Sequence, residues 1–160
     1  MLRTAIICLL FCSSATFAFD RDSSNQLVLR DSIVNYASKF LGTPYKWGGH
    51  SEGGFDCTGF VHFVFKKFGI IVSRASSGYE GKGEEVPIEE SVPGDIILFT
   101  GTDHTKRRVG HAGIIYRNLE GEIDFIHSSS SKKHFGVVIT RYNESGYLKR
   151  FLRVINVLSK

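Results

Sequence analysis

The sequence predicts an α+β domain in which N-terminal helices pack on an antiparallel β-sheet of about five to six strands. Two stretches with helical periodicity come first, at residues 29–41 and 56–68. Five runs rich in β-branched and aromatic residues follow, separated by short polar or Gly-containing connections. Because no Pro- or Ser-rich linker divides helices from strands, one layered unit is expected.

Length and composition are those of a single folded domain. The 160 residues include 42% hydrophobic and 22% charged residues, which argues against a disordered chain. A formal net charge of +4 is too small to indicate a nucleic-acid-binding protein. The only long apolar run lies at the N-terminus, so no interior transmembrane segment is expected. We also expect the chain to be a monomer.

The first 18 residues, MLRTAIICLLFCSSATFA, have the layout of a secretory signal peptide. Arg3 supplies the positive end, a short apolar stretch follows, and Thr16-Phe17-Ala18 places small residues where a signal peptidase reads them. We therefore expect export to the periplasm or the cell exterior. Lipid attachment at Cys12 is an alternative, although a bacterial lipoprotein signal has a small residue before the cysteine and Phe11 stands there.

The helical part of the chain follows this signal. Residues 19–29 are polar and predicted to be a flexible lead-in, and residues 30–160 are predicted to form the folded domain. The first helix, at 29–41, carries one apolar stripe and ends at a Gly-Thr-Pro sequence. A Gly-rich loop, GTPYKWGGHSEGGF, leads to the second helix at 56–68.

The remainder of the chain is predicted to be β-structure. Residues 70–93 are expected to be irregular, with a short extended piece at 70–73. The predicted strands are 95–100, 109–117, 122–127, 136–142 and 151–158. Since consecutive strands have short connections, they are expected to pair antiparallel.

Cys57 is the candidate nucleophile, at the point where the Gly-rich loop enters the second helix. Cleavage of the signal peptide would remove Cys8 and Cys12, and a lone thiol in an exported protein is either buried and inert or reactive. A helix N-terminus favours negative charge, so we expect the thiol to ionise more easily there. Free backbone N–H groups at the same place suit an oxyanion.

A thiolate nucleophile needs a base, and the strand pattern ranks the histidines. His111 and His127 each share one face of a strand with apolar residues, so both are expected to point inward and to need hydrogen-bond partners. His62 lies about 140° around the helix from Cys57, which makes it a poor base. Three histidines fall in polar loops and are expected to be solvated: His50, His104 and His134.

The two ranked histidines are predicted to face each other across a hairpin. If the turn is centred on Leu119, His111 lies directly opposite His127, with Cβ atoms about 5 Å apart. One imidazole would then take the thiol proton while the other holds its far nitrogen. A turn centred between Leu119 and Glu120 would shift the register by one residue and separate the two side chains.

A metal site is the alternative use of these side chains. Cys57, His111 and His127 are all possible Zn²⁺ ligands by residue type. However, no two of them have the short spacing of zinc motifs, and no fourth ligand suggests itself. We therefore expect neither a metal nor a cofactor.

Several ordered motifs resemble the NlpC/P60 cysteine peptidases. They are GTPYKWGG at 42–49, GFDCTG at 54–59, PGD at 93–95, GHAGI at 110–114 and FIHS at 125–128. The resemblance covers residues 30–158 and implies a papain-like α+β fold, with the cysteine at the start of a helix that packs on an antiparallel sheet carrying the histidine. Members of the family cleave bacterial cell-wall peptides, typically between D-γ-glutamyl and the following diamino acid.

The resemblance implies a role for each matched residue. Cys57 corresponds to the nucleophile, His111 to the general base, and His127 to the third polar residue that orients the base. Tyr45 matches a tyrosine that lines the site and can donate to the oxyanion. Asp56 matches an acidic residue that meets the free amine of a stem peptide in some members.

Two positions depart from the family pattern. Thr58 stands where serine is usual, so its extra methyl group is expected to tighten the adjacent subsite. Arg74 begins an Arg-Thr-Ser-like stretch, but the glutamine often found soon after is missing, with Tyr79 nearby instead. The supporting residues also have structural alternatives: Tyr45 as a cover for the core, and Asp56 as a helix N-cap.

Together these residues imply a secreted cysteine peptidase whose catalytic domain is residues 30–160. Peptidoglycan or muropeptides would be its substrate, and the D-γ-glutamyl–diamino acid bond would be cleaved through a thioester. Two alternatives stay open: an amidase or acyltransferase with the same Cys–His apparatus, and a wall-binding module with an inactive site.

Overall fold

The computed structural model describes residues 15–103 and 105–158. Helix α1 spans Ala15–Ser38 and helix α2 spans Cys57–Lys66. The strands are β1 (His50–Ser51), β2 (Gly54–Phe55), β3 (Glu84–Val86), β4 (Ile96–Thr100), β5 (Val109–Leu119), β6 (Glu122–Ser131), β7 (His134–Arg141) and β8 (Phe151–Asn156). Short 3₁₀ turns occur at Ser76–Tyr79, Ile88–Glu90 and Leu148–Arg150. The α+β class is confirmed.

Helix α1 is longer than the sequence predicts. It includes residues 19–29, so the predicted flexible lead-in is helical in the structure, and it crosses the end of the predicted signal peptide. The rest of that peptide, residues 1–14, lies outside the described residues. Residues 22–28 are mostly exposed, whereas Ile33 and Ala37 are fully buried. Apolar periodicity reports burial, and it therefore detects only the packed end of this helix.

The main sheet has six strands in the order β3-β8-β4-β5-β6-β7 and is antiparallel throughout. The five predicted strands are all present. Strand β3 lies in the segment expected to be irregular, and β1 and β2 form a small hairpin inside the Gly-rich loop. These three strands are only two or three residues long, which is too short to show an alternating pattern in the sequence.

Apolar side chains cover both faces of the sheet. On one face α1 and α2 pack over a core that includes Phe60, Ile114 and Ile126. A second core on the opposite face contains Phe99, Ile97, Ile115 and Phe125, among others. The imidazole rings belong to this second face: the ring of His111 lies 6.0 Å from that of Phe99, and the ring of His127 lies 4.6 Å from that of Phe125. Both histidines are buried, as predicted.

The turn between β5 and β6 differs from the predicted one. Leu119 pairs with Glu122, and the two residues between them, Glu120 and Gly121, have φ values of 51° and 85°. Two successive positive φ values are typical of the type I′ turn that matches the twist of a hairpin. This turn alone would place His111 and His127 on opposite faces of the sheet.

A β-bulge restores the shared face. The register shifts between Ile115 and Arg117, so that Ile115 pairs with Phe125 and Ile114 with Ile126. One extra residue on β5 changes the parity of every pair before it. The histidines therefore share a face but are not directly opposite each other, and the predicted register centred on Leu119 is wrong.

The ladder pairing of β5 with β6 ends before it reaches the two histidines. The start of β5 stays with β4, where His111 pairs with Phe99, while β6 continues along β7, where His127 pairs with Val138. No β5–β6 pairing extends past Ile114 and Ile126 within the described residues. The two histidines thus lie just beyond the last β5–β6 pair, His111 on the strand that stays with β4 and His127 on the strand that stays with β7.

Candidate active site

Cys57 is the first residue of α2, and Asp56 is its N-cap. Asp56 Oδ1 accepts a hydrogen bond of 2.6 Å from the backbone N–H of Gly59. The first N–H groups of a helix have no partner within it, and a carboxylate at the cap satisfies one of them. The N-cap role considered for Asp56 is therefore present, and it fixes where the helix starts and where the thiol stands.

Cys57 opens onto a groove of about 430 Å³. Four other residues singled out from the sequence line the same groove: Tyr45, Asp56, Thr58 and His111. Further lining residues that sequence reasoning did not assign to the site include Ser76, Gly101, Thr102, Ser130 and Arg150. Trp47 also lines the groove and is 89% exposed, so its ring forms part of the rim.

The thiol meets the sheet at Ala112, the residue that follows His111. The backbone N–H of Ala112 is near enough to the Cys57 sulfur to lower the pKa of the thiol. Helix α2 packs against β5 in this region, in the core that contains Phe60, Ala112 and Ile114. Cys57 and His111 consequently face one groove, although the helix packs on one side of the sheet and the imidazole projects from the other.

Behind His111 lies a short hydrogen-bonded chain. His111 Nε2 is 2.9 Å from His127 Nδ1, and His127 Nε2 is 3.0 Å from Thr140 Oγ1. If His111 uses Nδ1 as a base, its Nε2–H donates to His127 Nδ1, and His127 Nε2–H then donates to Thr140. The predicted contact between the two imidazoles is present, and Thr140 is a partner that sequence reasoning missed.

Tyr147 and Arg150 complete the surroundings of the imidazole pair. The ring of Tyr147 stacks on His111 with centroids 5.4 Å apart, and its hydroxyl lies 3.5 Å from His111 Nε2. The guanidinium of Arg150 lies over the Tyr147 ring, 4.8 Å from its centroid. Both residues follow β7 in a segment without regular periodicity, so no sequence pattern indicates that they return to the site.

Burial raises the pKa of the Cys57 thiol. The N–H groups of Ala112, Thr58 and Cys57 itself act in the opposite direction, and the charge of Asp56 adds to the rise. The lowering expected from a helix N-terminus is not found, because the loss of water around the thiolate outweighs the N–H groups that face it.

Burial also keeps the two imidazoles neutral. Together with the charge of Arg150 it lowers the pKa of His111 to about 3. Burial lowers the pKa of His127 well below its usual value, and the charges of His111, Arg150 and His134 contribute. At neutral pH the Cys57 side chain is therefore a protonated thiol and the His111 side chain is a neutral imidazole.

Thr58 and Arg74 both contact Asp56, and Thr58 also lines the groove. The Thr58 hydroxyl donates to the carbonyl of Arg74 at 2.7 Å, and Arg74 Nη1 lies 3.3 Å from Asp56 Oδ1. Arg74 Nη2 donates to the Gly48 carbonyl at 3.2 Å. These contacts join the Gly-rich loop, the start of α2 and the chain after it. Arg74 is not among the residues that line the groove.

Tyr45 stands beside the thiol. It lines the groove, and its ring makes an edge contact with Phe135 at 5.9 Å. Burial raises the pKa of Tyr45, and the charges of Cys57 and Asp56 raise it as well. The hydroxyl therefore stays protonated at neutral pH and is able to donate a hydrogen bond.

The other histidines lie outside this arrangement. His62 Nδ1 is 2.8 Å from the Val72 carbonyl, and His50 and His134 are exposed, as expected. His104 falls outside the described residues. In the ranges 15–103 and 105–158, no group of three or more His, Cys, Asp or Glu side chains is placed to hold a metal ion. No helix in those ranges is long and apolar enough to cross a membrane.

The site combines a half-buried cysteine at the start of a helix with a buried pair of histidines on the adjoining sheet. This arrangement and the order of its elements can be compared with known proteins. The sequence profile of the NlpC/P60 family matches residues 42–156. This chain belongs to the NlpC/P60 family. The matched range contains Cys57, both imidazoles, Thr140 and Arg150, so the whole arrangement lies inside the family's domain.

Curated NlpC/P60 relatives are longer proteins. A γ-D-glutamyl-L-lysine dipeptidyl-peptidase of Bacillus cereus is 35% identical over 121 residues, which are 76% of this chain and 34% of the relative. A protein of the same name from Bacillus subtilis is 30% identical over 137 residues, 86% of this chain and 44% of the relative. The chain thus spans less than half the length of either.

A solved structure shows the same NlpC/P60 fold. The crystal structure of an NlpC/P60 family protein from Bacillus cereus superposes with a TM-score of 0.70 at 33% identity. The alignment covers 81% of this chain and 40% of that one. The expected family fold is confirmed.

Proposed function

We propose that this NlpC/P60 domain is a cysteine peptidase that hydrolyses the bond between D-γ-glutamate and the diamino acid of peptidoglycan stem peptides. The observation that carries the proposal is the groove that both Cys57 and His111 line, with His127 and Thr140 hydrogen-bonded in sequence behind the His111 imidazole. Two relatives named γ-D-glutamyl-L-lysine dipeptidyl-peptidases support the choice of bond.

In the proposed first step, Cys57 Sγ attacks the γ-carbonyl carbon as its proton passes to His111. The carbonyl oxygen becomes an oxyanion, which the Cys57 backbone N–H and the Tyr45 hydroxyl stabilise. When the carbonyl re-forms, the C–N bond breaks and His111 gives its proton to the leaving amine of the diamino acid. The product is a thioester between Cys57 and the glutamyl group.

Water completes the reaction. His111, neutral again, takes a proton from a water molecule that attacks the thioester carbon. The C–S bond then breaks, the γ-carboxyl product forms, and the proton returns from His111 to the sulfur. His127 and Thr140 act by holding the His111 ring in one tautomer through both steps.

A neutral starting pair suits this sequence of steps. The raised pKa of Cys57 and the lowered pKa of His111 mean that the proton moves during the attack and not before it. The imidazolium exists only between attack and collapse, and the hydrogen bond from His111 Nε2–H to His127 strengthens at that moment.

The test uses Cys57→Ala and His111→Ala with one defined muropeptide, followed by mass analysis of the products. Each variant should lose activity by at least about 10³-fold, because neither member of the pair works alone. His50→Ala is the matched control, since this exposed histidine does not line the groove, and it should keep wild-type turnover. Wild-type cleavage by both site variants would contradict the mechanism.

The same products separate the alternative functions. Cleavage at the D-γ-glutamyl bond leaves a new glutamyl carboxyl group and a free amine on the diamino acid. An amidase would leave different ends, and an acyltransferase would join the glutamyl group to an added amine. Binding to insoluble peptidoglycan without any product over hours would favour an inactive binding module.

We also propose that residues 1–18 are removed on export. Support comes from the charged start, the short apolar stretch and the small residues at Thr16 and Ala18. Sequencing the N-terminus of protein secreted by an expressing bacterium should find Phe19. A full-length N-terminus on exported protein would contradict the proposed cleavage.

A further inference from the structure

Arg150 brings a positive charge to the catalytic groove. It lies in the 3₁₀ turn Leu148–Arg150 that leads into β8, and it lines the groove together with Cys57 and His111. It also lines an adjoining groove of about 600 Å³, in which Ser131 and Thr140 take part. The side chain thus stands where the two grooves meet.

The structure holds this guanidinium in place without neutralising it. Nε and Nη2 donate to the carbonyl of Thr100 at 3.3 and 2.9 Å, and the group lies over the Tyr147 ring. None of the acidic side chains in the ranges 15–103 and 105–158 forms an ion pair with it. A guanidinium has five N–H donors, so donors remain for a ligand.

Charge is unevenly distributed along the groove. Among the lining residues, Asp56 is the acidic one and Arg150 the basic one, apart from the neutral His111. Asp56 Oδ1 is already engaged by Arg74 and Gly59, whereas Arg150 has no carboxylate partner in the described ranges. The unsatisfied charge at this site is therefore the positive one.

The proposed substrate offers anions close to the scissile bond. A γ-glutamyl linkage leaves the α-carboxylate of D-glutamate free, and a diamino acid at the end of a stem has a free α-carboxylate of its own. Guanidinium groups bind carboxylates by paired N–H···O bonds. Either carboxylate is only a few bonds from the carbonyl that Cys57 attacks.

We propose that Arg150 is a specificity-determining residue that binds a substrate carboxylate next to the scissile bond. The inference rests on the proposed function and adds to it the part of the substrate that is recognised. It also assigns the groove a polarity, with the anion bound at the end formed by Arg150, Gly101 and Thr102.

Such binding also affects the base. The charge of Arg150 contributes to the lowered pKa of both imidazoles and so opposes the imidazolium that forms on attack. A bound carboxylate would neutralise that charge. The bound carboxylate would then have two effects: it would orient the substrate in the groove, and it would make proton transfer to His111 more favourable.

The test compares three forms of L-Ala-γ-D-Glu-L-Lys: the free acid, the D-glutamate α-carboxamide, and the C-terminal carboxamide. Wild-type kcat/KM should fall by about 10- to 100-fold on the amide that removes the bound carboxylate, because hydrogen bonds to charged groups are of that strength. Arg150→Gln should show the same loss on the free acid and no further loss on that amide. The amide that behaves in this way identifies the carboxylate.

Lys149→Gln is the matched control, since this exposed lysine sits on the same turn and lines neither groove. It should cleave all three peptides as the wild type does. Equal wild-type rates on all three peptides would overturn the inference even if Arg150→Gln does not fold, and so would an equal loss by Arg150→Gln on all three. Both results leave the proposed function intact, whereas no wild-type cleavage of any peptide would overturn both proposals.

Discussion

At the scale of single residues, the feature that matters most is the tautomer of His111. Its Nε2 and the Nδ1 of His127 are 2.9 Å apart, and one hydrogen serves both atoms. We predict that the Thr140 hydroxyl accepts from His127 Nε2–H, which leaves His127 Nδ1 free to accept the hydrogen of His111 Nε2. A buried imidazole without this partner would lose its fixed orientation.

Thr140→Val is expected to lower kcat by about 3- to 10-fold, which corresponds to one neutral hydrogen bond. KM should change little, because Thr140 does not line the catalytic groove. Thr140→Ser should restore the rate, since it returns the hydroxyl group. Steady-state kinetics on one muropeptide checks the prediction, and a loss in Thr140→Ser equal to that in Thr140→Val would contradict the role of the hydroxyl.

Among the elements, two local features place Cys57 and His111 at one groove: the N-cap of α2 and the bulge in β5. The cap fixes the start of the helix and hence the position of Cys57. The bulge between Ile115 and Arg117 sets which face of β5 carries His111. The helix cap and the bulge each involve only neighbouring residues, yet they set the positions of Cys57 and His111, which are far apart in the sequence.

Asp56 substitutions can separate capping from charge. Asp56→Ala should reduce the free energy of unfolding by about 1 kcal/mol, whereas Asp56→Asn should stay close to wild type because asparagine also caps helices. If the Asp56 carboxylate also meets a free N-terminal amine, both variants should lose activity on stem peptides more than on sugar-linked muropeptides, whose amine is blocked. Urea unfolding and kinetics on the two substrates provide the measurements. Equal losses on both substrates would argue against the amine-binding role.

Gly113 is required by the close approach of β5 and β6. A Cβ at this position would lie 2.8 Å from Phe125 Cδ2 and 3.2 Å from His127 Cβ. Gly113→Ala should therefore cost about 1–3 kcal/mol of stability through overpacking and should move His127 away from His111. Turnover should fall under conditions where the variant is still folded.

Gly146→Ala is the control for this substitution, because a Cβ there meets open space. It should leave both stability and turnover unchanged. Circular dichroism melts and kinetics, measured side by side, check both variants. A Gly113→Ala variant with wild-type turnover would show that the spacing of these strands is not critical for the imidazole pair.

At the scale of the whole molecule, the buried imidazoles make folding depend on pH. Burial holds the folded pKa of His111 at about 3 and that of His127 well below its usual value. In the unfolded chain both titrate near about 6.5. Below that pH the unfolded state binds protons that the folded state does not, so stability present above pH 6.5 is lost as the pH falls toward 3.

The free energy of unfolding should therefore fall below about pH 6.5, with each of the two histidines contributing up to about 1.4 kcal/mol per pH unit. His127→Gln should show a shallower dependence, because one buried titrating group is gone. Urea unfolding at pH 7.5, 6 and 5 measures the slope. His50→Gln serves as the control, since His50 is exposed, and an identical slope in wild type and His127→Gln would contradict the prediction.

Sequence periodicity was sufficient for the elements that bury many apolar side chains. The five longer strands and α2 all have that property, and strand alternation alone placed His111 and His127 in the interior. It failed for the exposed N-terminal part of α1 and for β1, β2 and β3, where few side chains are buried or the strand is very short. Apolar periodicity in a sequence reflects which side chains are buried, so it does not detect elements whose side chains are mostly exposed.

The fold class, the candidate nucleophile at the start of a helix and the pair of inward-facing histidines can all be predicted from the amino-acid sequence. Three further features emerge only from the folded chain: the register that brings the two imidazoles together, the raised pKa of Cys57, and the return of Thr140, Tyr147 and Arg150 to the site. The physical reason is that strand pairing, desolvation and contacts between distant segments depend on how the whole chain packs. None of these is encoded in the spacing of neighbouring residues.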